Sequence, residues 1–269
     1  MTGVRAVTSN QDDIYKNLEQ VVRKYAATRF LRPIADHTRE AFESAKQFVQ
    51  NYYQEQKVQP KSSDLGTTEG YAVILDSGCG TGESTLHLSR RFPGVPVIGI
   101  DKSAVRLNKA GNEIQLENLE AATGVEKQQV PENAFWVRAE LLDFWRLALE
   151  EVQAGRWNVL HHAIFYPNPW PKESEATRRF HLHPIFPTLT ALGDVTELRT
   201  NWEIYAREFA EASRILTECH PELLSGSADA DQRQHDITID TFNPEHPETA
   251  FERKYKEARQ QLWRVLVKK

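Results

Sequence analysis

From residue 71 onward, short apolar runs alternate with amphipathic stretches, and that alternation predicts most of the architecture. "YAVILD" (71–76) is a continuous apolar run of the kind found in a strand buried on both faces. "ESTLHLSRRF" (83–92) has helical spacing, "VPVIGID" (95–101) reads as a second strand, and "AVRLNKAGNEIQLENL" (104–119) as a second helix. "NAFWVRA" (133–139), "LLDFWRLALEEVQ" (141–153) and "WNVLHHAIF" (157–165) continue as strand, helix and strand. "ATRRFHLHPIFPTLTAL" (176–192) is mostly helical, with Pro184 and Pro187 interrupting or opening a segment. "DVTELRT" (194–200) is a fifth strand and "NWEIYAREFAEASRILTE" (201–218) a long helix. "HDITID" (235–240) and "QQLWRVLVK" (260–268) close the chain as a pair of strands. The expected fold is α/β: a seven-stranded, mostly parallel, Rossmann-like sheet with helices on both faces. Ligands of such sheets bind at the carboxyl ends of the strands, near the switch in strand order.

Ahead of this region, Ala41, Phe42, Ala45, Phe48, Val49, Tyr52 and Tyr53 recur at three- and four-residue steps and predict a helix over 36–56. Ile14, Leu18, Val21 and Tyr25 suggest a weaker helix within 11–28. "KVQPKSSDLGTTEG" is polar and turn-rich. The expected organisation is a helical N-terminal extension (1–60), a linker (61–70) and one α/β domain (71–269). No repeat or long low-complexity tract interrupts it.

Composition narrows the function classes. The 269 residues are 40% hydrophobic and 26% charged, as in an ordinary globular chain. No apolar run nears the roughly 18 residues of a membrane span. "MTGVRAVTSNQDD" lacks the apolar core of a signal peptide, and two cysteines, Cys79 and Cys219, make no disulfide framework, so a cytoplasmic setting is expected. No His/Cys grouping has metal-ligand spacing, so no metal is expected. The net charge of −5 argues against a polyanion partner, but its distribution does not. Arg23, Lys24, Arg29, Arg32 and Arg39 face one acid, Asp36, and the 253–269 tail holds seven Lys and Arg residues against Glu257 alone. Solvated helix faces and a grip on a polyanion both fit these clusters.

The first strand of the α/β region runs into "LDSGCGTGES", with Gly78, Gly80 and Gly82 between strand and helix. Such a turn lets a ligand approach the backbone closely. The third glycine comes one residue too early for G-x-G-x-x-G, and no Gly-Lys-Ser/Thr makes a P-loop. Asp76 precedes the loop and Asp101 ends the second strand, where a carboxylate can accept two ribose hydroxyls. Cys79 reads as a small residue filling space. Together the loop and its two acids resemble the S-adenosyl-L-methionine (SAM) methyltransferases, with NAD-dependent oxidoreductases as the competing class. The resemblance implies that SAM contacts Asp76, Gly78, Gly80, Gly82, Asp101 and Lys102, and that Ala139 and Glu140 lie beside the adenine.

The fourth strand ends in "YPNPWPK" (166–172), three prolines around one tryptophan and one asparagine. Prolines at this density cannot continue a strand or begin a regular helix. The wording resembles the F-P-D-P-W-x-K motif of the bacterial tRNA (guanine-N7)-methyltransferases, followed as in that family by Arg178, Arg179 and then Pro184-x-Phe186. "LRTNWEIYA" resembles the family's Thr-Asp pair at Thr200 and Asn201, and "TAFERK" its Thr-x-Phe-Glu element at Thr249 and Glu252. Four motifs in order, from residue 71 to the end, identify the chain as a divergent member; residues 1–70 match poorly.

The resemblance implies SAM-dependent methylation of guanine N7 in tRNA; the sequence leaves the oligomeric state, monomer or homodimer, open. Asn168 would lie at the methyl donor and acceptor. Trp170, Lys172, Arg178, Arg179, Thr200, Asn201, Thr249 and Glu252 would bind substrate. Two family carboxylates are replaced, by Asn168 and Asn201. Guanine N7 is a lone-pair nucleophile with no proton to lose, so in-line positioning matters more than a general base. Recognition is more exposed to the change: an amide offers one acceptor oxygen and brings donors of its own, and suits an adenine or cytosine edge. The alternatives left open are a shifted acceptor (another base, a small molecule or a protein) and a non-catalytic SAM- or RNA-binding homologue. His161 and His162, inside the fourth strand, read as structural.

Overall fold

The computed structural model describes residues 6–57, 70–108, 130–220 and 236–269. Its strands are β1 (Tyr71–Ser77), β2 (Val97–Asp101), β3 (Ala134–Arg138), β4 (Trp157–Phe165), β5 (Gly193–Thr200), β6 (Asp236–Phe242) and β7 (Leu262–Lys268). They form one seven-stranded sheet in the order β3-β2-β1-β4-β5-β7-β6. The longer helices are α1 (Leu18–Ala26), α2 (Asp36–Glu55), α3 (Glu83–Arg91), α4 (Leu141–Gln153), α5 (Phe186–Leu192), α6 (Glu203–Cys219) and α7 (Ala250–Glu257). The chain divides into two compact units, residues 34–160 and residues 1–33 with 161–269. The expected N-terminal extension is thus shared between the two. The expected linker 61–70, save Gly70, and most of the expected second helix (104–119) lie outside the described residues.

In the 34–160 unit, β1, β2 and β3 pair in parallel, with Asp76 opposite Gly99 and Asp101 opposite Arg138. Their side chains are apolar on both faces because helices cover both. α2 covers one of them: Phe42 meets the edge of Phe144 at 4.9 Å, Phe48 stacks on Phe135 at 4.7 Å, and Tyr53 stacks on Tyr71 at 5.0 Å. Phe42, Ala45 and Val49 are fully buried, so truncating Phe42 alone should cost about 3–5 kcal/mol. Gly99 admits no larger residue, because a Cβ there would run into Thr85 and Trp136.

In the other unit, α1 lies on α6, with Leu18 and Val22 buried and Arg23 bonded to Glu218 at 2.9 Å. β7 runs antiparallel to both β5 and β6, which makes this end of the sheet mixed. Three segments differ from expectation. The helix expected within 11–28 begins only at Leu18, because the side chain of Gln11 and the backbone of Tyr15 bond to Glu208 instead. The 173–192 stretch breaks into two 3-10 turns, Glu173–Arg178 and Phe180–Leu182, before α5, with Pro184 between the second turn and α5 and Pro187 in the first turn of α5. α7 was not expected as a helix. Its signal is Thr249-x-x-Glu252, a capping-box pattern in which the Thr249 hydroxyl accepts from the Glu252 N–H at 3.0 Å.

Candidate active site

The turn after β1 is built on glycine for a physical reason. Gly78, Gly80 and Gly82 have φ of +80°, +61° and +83°, a region that side chains rarely adopt. The Gly78 and Cys79 amides donate to the Ile100 carbonyl at 2.8 and 3.1 Å, which ties the turn to the end of β2. Asp76 is buried and braces the turn from below: Ser84 and Thr85, in the first turn of α3, donate to its Oδ2 at 2.6 and 2.7 Å. Asp101 is buried beside the turn, accepting from the Gly80 N–H at 3.0 Å, the Ser103 N–H at 2.7 Å and Arg106 Nη2 at 2.8 Å. Burial and the charges of Asp76 and Asp101 push the Cys79 thiol well up, which keeps it protonated and inert.

A Cβ at Gly80 would meet nothing within 4 Å, so the turn offers open backbone next to a buried carboxylate. That is the shape and chemistry a ribose and the atoms attached to it require, and SAM fits it. Lys102 is exposed, and the Ala139 N–H donates to the Asp101 carbonyl at 3.2 Å, so Ala139 closes this corner as a small buried residue. Glu140 opens α4, its N–H bonded to Thr38 Oγ1 at 3.2 Å. Arg106 was not among the expected residues. The only sign of it in the sequence is a basic residue five positions after the ribose acid.

In the other unit, the 166–172 loop leaves β4 with two non-glycine residues in left-handed backbone, Tyr166 (φ 52°) and Trp170 (φ 44°). Such strain persists only where the surroundings over-determine it, and it concentrates at functional sites. A loop with three prolines has few N–H donors, so its carbonyls need partners from elsewhere. Arg179 supplies them. Its guanidinium donates to the Pro169 carbonyl at 3.2 Å and to the Trp170 carbonyl at 2.9 Å, and it stacks over Trp202 at 4.8 Å. Arg179 is fully buried and paired with Glu208 at 2.6 Å. The expectation that it binds substrate is therefore corrected: its charge is consumed inside the protein. Burial alone would raise the Glu208 carboxyl, but His181 and Arg179 outweigh it and hold it at about 2. His181 bonds Glu208 at 2.8 Å, and burial lowers its own pKa, so at neutral pH it is an uncharged partner and the balancing charge is that of Arg179.

Glu252 needs the same correction. Rather than facing a nucleotide, it is completely buried, accepting from Arg199 Nη1 at 2.9 Å, Tyr166 OH at 3.0 Å and the Glu248 N–H at 2.7 Å. Arg199 also pairs with Glu197 at 2.7 Å and Glu248 at 2.8 Å and lies 4.1 Å over the Phe165 ring. His161 extends this chain, 3.0 Å from Glu197. Burial and the Glu252 charge push the Tyr166 phenol far up, so it stays a neutral donor. Glu252 thereby fixes Tyr166, the first residue of the loop. Thr249 is the N-cap of α7 and nearly buried. Thr200 is buried, its hydroxyl accepting from the Trp202 N–H at 3.2 Å, and Asn201 donates to Gln260 Oε1 at 3.2 Å.

The outward face of the loop carries Asn168, Lys172 and Arg178, all exposed. Asn168 Oδ1 accepts from the Trp170 N–H at 3.3 Å. Arg178 covers the Trp170 ring at 4.5 Å and pairs with Glu175 at 3.2 Å. Beside Tyr166, at the start of the loop, lie Phe251, 53% exposed, at 6.1 Å and Tyr255 at 5.5 Å. Of the basic clusters, Arg23 and Lys268 are engaged with carboxylates and Lys269 Nζ donates to the Ala191 carbonyl, while Lys254 and Arg259 are exposed. Among the described residues there is no group of three or more potential metal ligands, and no helix long and apolar enough to cross a membrane.

A glycine turn after β1, an acid at the end of β2 and an open cradle between them define the class: a SAM-dependent methyltransferase, with SAM as its cofactor. Comparison with known proteins gives the family. The Methyltransf_4 methyltransferase family matches residues 71–265, and the chain belongs to it, as a divergent member of the tRNA (guanine-N7)-methyltransferase family. The tRNA (guanine-N(7)-)-methyltransferase of Neisseria meningitidis is 25% identical over 216 residues, 78% of this chain and 77% of that enzyme. Trans-aconitate 2-methyltransferase of Deinococcus radiodurans is 52% identical, but over only 54 residues, a fifth (20%) of either chain. Among solved structures, an antibiotic-related methyltransferase matches with a TM-score of 0.45 at 13% identity, over 90% of this chain and 97% of that one.

Proposed function

We propose that the protein transfers the methyl group of SAM to guanine N7 in tRNA, in the cytoplasm. The observation that carries this reading is the 166–172 loop: two strained residues and three prolines, held by a buried arginine and a buried glutamate. That investment suits a segment whose outward residues must meet a substrate in one geometry. SAM supplies an electrophilic methyl group, and guanine N7 offers its lone pair without losing a proton. The residues of this chain therefore have to bind, orient and exclude water rather than carry a proton. On this reading SAM lies along Gly78–Gly82, with Asp101, Lys102, Ala139 and Glu140 around its nucleoside, and Asp76 acts through the brace it makes with α3. Asn168 faces the acceptor, Lys172 and Arg178 meet phosphates, and Trp170 offers a ring on which a base can stack, worth about 1–3 kcal/mol, once Arg178 moves aside.

The two asparagines favour a second reading, a methyltransferase whose acceptor has shifted. The test is transfer of labelled methyl from SAM to an unmodified tRNA transcript pool, with digestion to nucleosides. N7-methylguanosine is expected. Another methylated nucleoside supports the shifted acceptor, and SAM binding without label in RNA overturns an RNA substrate.

A further inference from the structure

The residues before α1 do more than precede the fold. Ser9 Oγ donates to the Pro171 carbonyl at 2.6 Å, and Asn10 Oδ1 accepts from the Glu173 N–H at 3.1 Å. Lys16 pairs with Glu173 at 3.2 Å. Gln11 is 9% exposed and turned inward: Nε2 donates to Glu208 Oε1 at 2.6 Å, and Oε1 accepts from Arg179 Nη2 at 3.0 Å. The Tyr15 N–H adds a 2.7 Å bond to Glu208, and Arg207 pairs with Asp13 at 2.8 Å. Residues 9–16 therefore touch the proline loop directly at 171, and the residue that follows the loop, 173. They also touch Arg179, which holds its 169 and 170 carbonyls, and Glu208, the buried partner of that arginine.

We propose that residues 9–16 are a clamp that completes the acceptor loop, with Gln11 and Ser9 as positioning residues for methyl transfer; the catalytic part of the proposal rests on the reading that this loop receives the acceptor. The physical need is specific. Three of the seven residues from 166 to 172 are prolines, which have no N–H, so the loop cannot satisfy its own carbonyls. Arg179 satisfies 169 and 170, and Ser9 satisfies 171. Gln11 bridges the Arg179–Glu208 pair with one donor and one acceptor, the pattern a carboxamide provides and a carboxylate or an ammonium does not. Ser9 Oγ is committed to the Pro171 carbonyl and the Gln11 N–H, and the Gln11 amide to Glu208 and Arg179, so both act through the loop's position.

The experiment uses the full chain with Ser9→Ala and Gln11→Ala together, and Gln11→Asn as the conservative variant. Hydrogen exchange is followed over 172–176, alongside methyl transfer to tRNA transcripts. The clamp predicts about tenfold faster exchange at the Glu173 amide in the double variant, with the melting transition still cooperative. It also predicts a 10- to 100-fold fall in kcat, since an ångström of misplacement costs about that much, with the Kd for SAM unchanged. Gln11→Asn should recover part of both losses. Unchanged exchange over 172–176, or faster exchange with unchanged kcat, overturns the proposal. If wild type and variant both fail to label tRNA while exchange still accelerates in the variant, the tRNA reading falls and the clamp stands.

Discussion

Replacing Arg179 by Met tests the account of the loop most severely. Met fills much of the same volume but removes the positive charge that balances Glu208 and the donors that hold the Pro169 and Trp170 carbonyls. Removing one partner of a fully buried pair leaves an uncompensated charge and costs about 3–5 kcal/mol. His181 makes the loss depend on pH. In the wild type, burial and the Arg179 charge lower its pKa. In the variant it is the remaining cation available to Glu208, so its folded-state pKa should rise above its ordinary value of 6.5. A histidine raised in the folded state contributes stability that is fully present below its unfolded pKa and lost as pH climbs through the folded one. The penalty should therefore be smaller at pH 5.5 than at pH 8, by about 1.4 kcal/mol for each unit of rise. In the variant the loss of Arg179 also raises the buried Glu208 carboxyl, which reduces the penalty at the lower pH in the same direction; in the wild type Glu208 adds no pH dependence across this range. Held at about 2 there, it contributes fully above its ordinary 4.5 and loses its contribution only as pH falls toward 2. Urea unfolding of both proteins at the two pH values gives the four free energies required. A penalty below about 1 kcal/mol, or one identical at both pH values, would refute the assignment of Arg179 as the buried counter-charge.

Three further outcomes follow from the site. Gly80→Ala should lose about 1–2 kcal/mol of stability from its left-handed backbone and at least tenfold in SAM affinity by calorimetry, whereas Gly94→Ala (φ +81°, equally open) should lose stability alone. Asn168→Asp should increase guanine methylation of tRNA, measured as N7-methylguanosine per SAM consumed; no gain would show that the amide is not what limits recognition there. His162, driven by burial to about 3, stays neutral when folded and takes up a proton when unfolded. Stability should therefore fall by about 2 kcal/mol from pH 7 to pH 5, and His162→Leu should flatten that slope in denaturant titrations.

The strand–helix alternation was legible because buried parallel strands are apolar on both faces, and "LLDFWRLALEEVQ" and "WNVLHHAIF" mark α4 and β4 to the residue. The glycine turn was legible because its conformation admits little else. Sequence position alone could not show which way a charged side chain turns. Arg178 and Arg179 are adjacent and chemically identical, yet one lies on the surface and the other in the core, because Glu208, 29 residues on, occupies a buried position on α6. Glu252 likewise reads as a substrate-binding acid until Arg199 is seen bonded to it. In the 9–16 arm Ile14 continues the helical period of Leu18, Val21 and Tyr25, yet the arm is not helical, since its bonds to Glu208, Arg179 and Pro171 are made one group at a time.

Gln11 and Glu208 are separated by 197 residues, and that distance has a temporal meaning. At about 5–20 residues per second, a ribosome needs roughly 10–40 seconds to synthesise the stretch between them. Throughout that interval Glu208, the partner of the arm, is unmade, whereas residues 34–160 are already in the chain before it. The order of synthesis thus places every residue of the cofactor cradle in the chain before Glu208, the residue on which both the arm and the Arg179 that holds the loop depend.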